Sequence, residues 1–348
     1  MRIVHITYGF GLGGIETMLH NIANEQVKLG HEIHIIVIND IVNDELKSTL
    51  ASEIHFHCLK RKVGSKNPFF IVFLNHLLLG IHPDVIHLHY SSIARYILLD
   101  RLKKRLCVTQ HDVCNKLNSK YLYLSKEIFA ISNIVKEDIL KWTGLDSVVV
   151  LNGIEPGLIK ASSGERHSKF RIVQVSRLMH EKKGQHILIK AVAYLVEKGY
   201  EDICLDFIGD GESIDYLKQL ARKLKVESYV NFLGAKDQSY VFEHLCKYDL
   251  YVQPSIYEGF GLTVTEGMAA KIPVLVSENQ GPLEIIDYGK YGYSFKNQDS
   301  EDCALKIEKF LKRENDTNMI TLAYERVLSL YNVKNTAQKY LELYKTLA

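Results

Sequence analysis

Leu250-Tyr251-Val252-Gln253-Pro254-Ser255-Ile256-Tyr257-Glu258-Gly259-Phe260-Gly261-Leu262-Thr263-Val264-Thr265-Glu266 changes character twice in one short stretch. It begins as an apolar, β-branched run, passes through Pro254 into a glycine-rich turn, and continues as a segment that reads as a helix from Leu262 to Ala270. Strand, glycine turn and helix form the unit from which parallel sheets with crossover helices are built. The glycines bring main-chain N–H groups to the helix start, where the helix dipole favours a phosphate or the sugar hydroxyls beside it. Glu258 stands on the turn and Glu266 just past the first helical turn, so two hydrogen-bond acceptors frame one site. Read in isolation, Glu266 is an acid placed favourably near a helix N-terminus and Glu258 a solvated loop acid.

The same alternation runs outward from this stretch to both ends of the chain. Towards the N-terminus the strands read as Phe170–Ser176, Cys204–Ile208 and Val230–Leu233, and beyond the turn as Val274–Ser277, with helical segments between. An earlier set reads as Arg2–Thr7, Glu32–Ile38, Ile54–Cys58, Val85–His89, Leu106–Gln110, Glu127–Ile131 and Val148–Leu151. The fold class is α/β, with two doubly wound domains. Asn152 to Lys169 carries Gly, Pro, Ser and charge without an apolar period, the composition of a connector. The domains are accordingly drawn as residues 1–160 and 161–330, and the helical tail 331–348 is expected to pack back on the first domain.

Composition narrows the function. At 348 residues the chain exceeds one ordinary core, and a net charge of +2 with no basic stripe along a helix argues against nucleic acid. The six cysteines are scattered, with no Cys-x-x-Cys pair and no metal-ligand spacing, and read as reduced thiols. The N-terminal strand leaves no room for a signal peptide, and the apolar run Phe69–Ile81 is too short to span a membrane, so a cytoplasmic location is expected.

Other segments carry possible chemistry. Gly9-Phe10-Gly11-Leu12-Gly13-Gly14 follows the first strand, and with Asp40 it formally matches a dinucleotide fingerprint. Arg177 follows a strand and Lys182-Lys183-Gly184 precedes the helix near Gln185, so two cations meet one helix start, a place suited to a diphosphate. His111 lies just past a strand, with Asp112 beside it to orient the ring. As a lone residue it reads as a structural hydrogen-bonding histidine. Basic runs at Lys60-Arg61-Lys62, with Lys66, and at Lys103-Lys104-Arg105 flank Phe69–Ile81. They form a solvated rim or a contact for anionic lipid or a phosphorylated acceptor.

Taken together, Gly13-Gly14-Ile15-Glu16, Asn152-Gly153-Ile154-Glu155, Arg177 with Lys182-Lys183-Gly184, and Glu258-Gly259-Phe260-Gly261-Leu262 through Glu266 resemble the retaining glycosyltransferases of family 4. The resemblance implies the GT-B architecture, two Rossmann-like domains facing across a cleft, with the acceptor on the first and the nucleotide sugar on the second. It implies that Glu266 binds the donor ribose, and that Arg177, one of Lys182 and Lys183, the N–H groups of Leu262 and Thr263, and Gly14 bind the diphosphate. It gives Glu258, Gly259, Phe260, Gly261 and His111 to the sugar, names Glu258 and His111 as candidate catalytic groups, and lets Gly13, Glu16, Asn152 and Gly153 line the cleft.

The implied reaction transfers a hexose or N-acetylhexosamine from a nucleotide-diphosphate sugar to a glycan or lipid-linked acceptor, with retention, in surface polysaccharide or lipopolysaccharide synthesis. It needs no cofactor and no metal, and there is no Asp-x-Asp motif. Peripheral contact with the inner membrane face is a further expectation. Two rival readings stand beside it: an NAD(P)-dependent oxidoreductase using the Gly9–Gly14 loop with Asp40, and a non-catalytic subunit retaining the fold.

Overall fold

Thirteen short strands are ordered into two parallel sheets in a computed structural model that describes the whole chain except residues 12, 165–167, 279–280, 315 and 348. The strands are β1 Arg2–Thr7, β2 Glu32–Asn39, β3 His55–Arg61, β4 Val85–Leu88, β5 Leu106–Gln110, β6 Glu127–Ala130 and β7 Val148–Val149 in the first half. The second half holds β8 Phe170–Val175, β9 Ile203–Ile208, β10 Val230–Phe232, β11 Leu250–Gln253, β12 Val274–Ser277 and β13 Tyr293–Phe295. The orders are β3-β2-β1-β4-β5-β6-β7 and β10-β9-β8-β11-β12-β13, every pairing parallel. In each sheet the order reverses beside the first strand, at β1/β4 and at β8/β11. In such sheets, ligands bind outside the carboxyl ends of the strands at this reversal. Both sheets are therefore doubly wound and Rossmann-like.

The central strands are buried on both faces, as parallel sheets covered by helices require. Ile33 and Ile35 through Ile38 on β2, and Tyr251 and Val252 on β11, are fully buried. β13 is an addition to the strands read from sequence. It is short and only its last residue is buried, so it presents no apolar run, and pairing with β12 defines it. The lysines at 182 and 183 lie inside a four-residue helix, His180–Lys183, and the longer helix Gln185–Glu197 follows after Gly184.

The chain divides into two units, Met1–Ile154 with Tyr331–Ala348, and Glu155–Leu330. The division falls inside the stretch that reads as a connector. The tail belongs to the first unit for identifiable reasons. Val333 N–H donates to the Ile154 carbonyl at 2.8 Å, Ile154 N–H to Tyr331 at 2.8 Å, and Thr336 Oγ1 to Leu151 at 2.8 Å. Gly153 is packed so closely here that a Cβ would lie 2.5 Å from Val333 N and 2.6 Å from the Asn332 carbonyl carbon. The helix Val333–Tyr344 then buries Ala337, Tyr340 and Tyr344 completely, each ring contributing about 2–3 kcal/mol of apolar burial. Their hydroxyls are satisfied, Tyr340 by Thr109 Oγ1 at 2.9 Å and Tyr344 by His87 Nδ1 at 2.5 Å.

The apolar run Phe69–Ile81 is one helix, and no helix among the described residues is long and apolar enough to cross a membrane.

Candidate active site

In the second unit, three loops converge at the carboxyl edge of the sheet because glycines let their backbones touch. Gly184 has φ of +70°, and a Cβ there would lie 1.9 Å from the Pro254 carbonyl oxygen, so no other residue permits this approach. Across the contact, Ile256 and Tyr257 N–H groups donate to the Lys182 carbonyl at 2.9 and 3.2 Å. Gly209, at φ +141°, packs its backbone in the same way against Ser176, with 1.9 Å from the Cβ position to the carbonyl oxygen. Two buried glutamines complete the framework. Gln174 Nε2 donates to the Lys183 carbonyl at 3.0 Å, and Gln185 Nε2 to the Arg177 carbonyl at 3.0 Å.

The expected pair of cations is separated by its partners. Lys183 Nζ forms an ion pair with Glu258 Oε2, the two side chains only 20% and 15% exposed. Arg177 pairs with Glu212 at 3.2 Å, both well exposed at 68% and 51%, a contact worth at most about 1 kcal/mol. Both cations are thus held at the strand ends, each on its own acid. Lys182 contributes its carbonyl to the loop contact.

The Glu258–Gly261 turn is tied down by Gly281, whose N–H donates to the Glu258 carbonyl at 2.9 Å. Gly261 sits at φ +103° as the residue before the helix Leu262–Ala269 and offers no side chain to cap it. The first amides of that helix, on Leu262 and Thr263, point out of its positive end. Phe260 is 3% exposed, so its ring is packed into the interior.

Glu266 is the chemically most unusual group. Its side chain is buried, it has no hydrogen-bond partner among the described residues, and burial raises its pKa to about 7. Tyr251 lies in the strand Leu250–Gln253 that leads into this turn. Its hydroxyl bonds Gln253 Oε1 and Thr263 Oγ1, both at 2.6 Å. Burial drives the phenol pKa far up, the Thr263 hydrogen bond opposes this, and the Glu266 and Glu258 carboxylates push it up further.

In the first unit, the Gly9–Gly14 loop is stitched to the segment after β2, Phe10 N–H donating to Ile41 at 2.8 Å and Asn43 N–H to Phe10 at 2.7 Å. Leu12 lies outside the described residues. Gly9 and Gly11 have no left-handed backbone, and a Cβ on either would meet Ile41 at an ordinary 3.5–3.6 Å. Gly13 differs, because a Cβ would lie 2.5 Å from Glu16 Oε2, which folds back over the start of the helix Gly14–Lys28. Burial raises the Glu16 pKa. Asp40 is exposed.

His111 is half-buried, and its ring is held by His89, with His111 Nε2 to His89 Nδ1 at 3.0 Å. Asp112, expected to orient it, accepts from Val113 N–H at 2.9 Å. Burial lowers the His111 pKa to about 3, with the Asp112 charge opposing, so the ring is neutral at physiological pH. Asn152 is buried with its Oδ1 unpartnered among the described residues, whereas Gly153, expected to line a cleft, is occupied by packing against the tail. Gln174, Gln185, Gly209, Tyr251 and His89 were not anticipated. The run Ile208-Gly209-Asp210-Gly211, a second glycine turn at a strand end, was a signal for one of them.

Cations, helix amides and acids at the strand ends of a doubly wound unit form an arrangement suited to a phosphorylated ligand. Comparison with known proteins makes the assignment specific. The sequence profile of the family described as "Glycosyl transferases group 1" matches residues 157–326, and that of "Glycosyltransferase Family 4" matches residues 12–158. The chain belongs to this family of glycosyltransferases, with the GT-B fold. One relative, "Probable sucrose-phosphate synthase" of Thermosipho melanesiensis, is 30% identical over 51% of this chain, and this chain spans only 42% of that protein. The Anabaena protein Alr3699/HepE, solved with UDP-glucose, has the same fold with a TM-score of 0.84 at 20% identity, over 99% of this chain and 100% of that one. The lipopolysaccharide outer core galactosyltransferase WaaB aligns at a TM-score of 0.75 and 20% identity, over 99% of this chain and 100% of that one. The family assignment displaces the oxidoreductase reading of the Gly9–Gly14 loop.

Proposed function

We propose that the protein is a retaining glycosyltransferase that moves a hexose or N-acetylhexosamine from a UDP-linked donor to a glycan or lipid-linked acceptor in surface polysaccharide or lipopolysaccharide assembly. The observation that carries this reading is the edge of the second sheet, where Lys183, Glu258, the Leu262 and Thr263 amides and an unpartnered, buried Glu266 share one neighbourhood. Glu266 accepts from the ribose hydroxyls. Lys183, Arg177 and the helix amides take the diphosphate, and Gly14 in the first unit is assigned to it as well. Glu258, released from Lys183, and the Gly259–Gly261 backbone take the sugar, with His111 on one of its hydroxyls.

In the transfer, the bond from the anomeric carbon to the diphosphate breaks while the acceptor oxygen bonds the same face. The acceptor's proton passes to the departing phosphate oxygen. Charge grows on that phosphate in the transition state, and preorganised cations and helix amides stabilise it. Lys183, Arg177 and the amides supply this charge in place of a metal. His111, neutral and a weak base, serves as a hydrogen-bonding group rather than a proton carrier. Six free thiols suit a reducing compartment such as the cytosol.

A thermal-shift panel of UDP, GDP and their sugar conjugates tests the donor site. A ligand at 100 times its dissociation constant stabilises by about 2.7 kcal/mol, and no shift with any nucleotide would sink the assignment.

The acceptor reading draws on the helix Phe69–Ile81, where Phe69, Val72 and Phe73 are 63–66% exposed beside exposed Lys60, Lys62 and Lys66. The second basic run is partly consumed, with Lys103 on Asp100 and Arg105 on the Pro83 carbonyl. Each free lysine near an anionic surface adds about 1 kcal/mol. The protein is expected to sediment with anionic vesicles at low salt and to release at high salt. Equal sedimentation with neutral vesicles would contradict an electrostatic contact.

A further inference from the structure

Three imidazoles in the first unit form a continuous hydrogen-bonded line. His5 Nε2 meets Gln26 Oε1 at 2.8 Å, His5 Nδ1 meets His89 Nε2 at 3.1 Å, and His89 Nδ1 meets His111 Nε2 at 3.0 Å. The line crosses β1 and the ends of β4 and β5, three neighbouring strands, and starts on the helix Gly14–Lys28. His5, His89 and Gln26 are buried, and only His111 reaches partial exposure. Burial lowers the pKa of all three rings, so the line is neutral.

A fourth ring, His87, lies among them, and the nitrogens of His5, His87 and His89 are close enough to suggest a metal. In this arrangement, their nitrogens bond one another and neighbouring side chains. His87 Nε2 is on Thr109 Oγ1 at 2.7 Å and its Nδ1 on Tyr344, and both nitrogens of His5 and His89 are engaged as above.

A neutral imidazole has one protonated and one bare nitrogen, so each link in the line dictates the next. Gln26 Oε1 only accepts. His5 must therefore carry its proton on Nε2 and present a bare Nδ1. That bare nitrogen requires a proton on His89 Nε2, which in turn requires one on His111 Nε2. His111 Nδ1, with no partner among the described residues, is then left as an acceptor. Turning the Gln26 amide over would move every proton to the opposite nitrogen and make His111 Nδ1 a donor. The Gln26 nitrogen is buried with no hydrogen-bond partner among the described residues, and the Gln26 side chain lowers the Tyr344 phenol pKa against burial, the direction expected of an amide N–H rather than an amide oxygen, which favours the orientation described.

We infer that Gln26, through His5 and His89, is a positioning residue that sets the tautomer of His111 and commits its Nδ1 to accept a hydrogen bond from a ligand hydroxyl. That the hydroxyl belongs to the donor sugar rests on the proposed function. The relay does not, and the test separates them.

Long-range ¹H–¹⁵N spectra of the full chain with labelled histidine read each ring's tautomer, and single His→Gln variants assign the signals. Near neutral pH, His5, His89 and His111 are all expected to be neutral with the proton on Nε2. A proton on Nδ1 of any of the three, or a charged ring among them, overturns the relay. Gln26→Leu is expected to shift the His111 ring nitrogens although the two residues do not touch, while those of His20, which is bonded to Asn21 and Thr49, stay put. Unchanged His111 signals in Gln26→Leu also overturn it. If that variant does not fold, Gln26→Met or the wild-type pattern alone decides.

For affinity, Gln26→Leu is expected to weaken a nucleotide sugar by about three- to tenfold, one hydrogen bond's worth, and to leave UDP unaffected. Shifted signals with unchanged sugar-nucleotide affinity would uphold the relay and remove His111 from the donor site.

Discussion

Glu266→Gln is expected to raise the melting temperature at pH 8 and, at the same pH, to weaken nucleotide-sugar binding by one to two orders of magnitude. The two effects have one cause. The carboxyl is buried without a hydrogen bond among the described residues, and burial alone raises its pKa from 4.5 to about 7. Between these two values the folded state holds a proton that the unfolded state has released. Stability therefore falls as pH rises from about 4.5 to about 7, by about 3 kcal/mol at most, and is level above that. Glutamine never ionises, so the variant escapes this loss. It should match the wild type near pH 4.5 and exceed it at pH 8, by a few degrees for a unit of this size.

Binding runs the other way. Ribose hydroxyls that donate to an ionised carboxylate form charge-assisted bonds, each worth about 1.5–3 kcal/mol, and glutamine offers one neutral acceptor instead. Because the ligand favours the ionised form, wild-type affinity should fall as pH drops below 7. Calorimetry with a nucleotide sugar, whose diphosphate diester does not titrate in this range, should show that fall in the wild type and a flat profile in the variant. A variant that is less stable at pH 8, or that binds unchanged, would remove Glu266 from the ribose site.

The features legible in the sequence share a physical property: they are local. β5, β11 and β12 are the expected runs Leu106–Gln110, Leu250–Gln253 and Val274–Ser277, because β-branched and apolar residues there are bounded by turn residues. The Glu258–Glu266 turn and helix were legible because the glycine punctuation and the helix start lie within a few residues. What was not legible depends on contacts between distant segments. Nothing near Lys183 announces that Glu258, far along the chain, will neutralise it. Tyr251 reads as a core residue of a strand, and only the folded arrangement sets its hydroxyl between Gln253 and Thr263. His5, His89 and Gln26 look like three unrelated polar residues until adjacent strands align them. β13 escaped because its strand character comes from β12 rather than from its own residues.

Lys183→Ala is expected to reduce transfer by about two to three orders of magnitude, the scale seen when one group stabilising transition-state charge is lost. It should also destabilise the protein, which Arg177→Ala should not. Glu258 is only 15% exposed and faces the Lys183 ammonium, so removing the lysine leaves a carboxylate largely cut off from water. Breaking a fully buried pair costs about 3–5 kcal/mol, and the residual exposure places this pair at the lower end. Arg177 and Glu212 are mostly in solvent, and losing that contact should change stability by no more than about 0.5 kcal/mol. Both substitutions should nevertheless impair transfer if both cations meet the diphosphate.

The decisive comparison adds Glu258→Gln to Lys183→Ala. Removing the charge of that carboxylate should restore part of the stability, measured by chemical denaturation, because part of the cost lies in a largely buried acid that has lost its ammonium neighbour. Transfer should stay low, because the restored protein still lacks a cation where the phosphate leaves. If the double variant regains transfer along with stability, Lys183 serves only to neutralise Glu258, and the leaving phosphate depends on Arg177 and the helix amides instead.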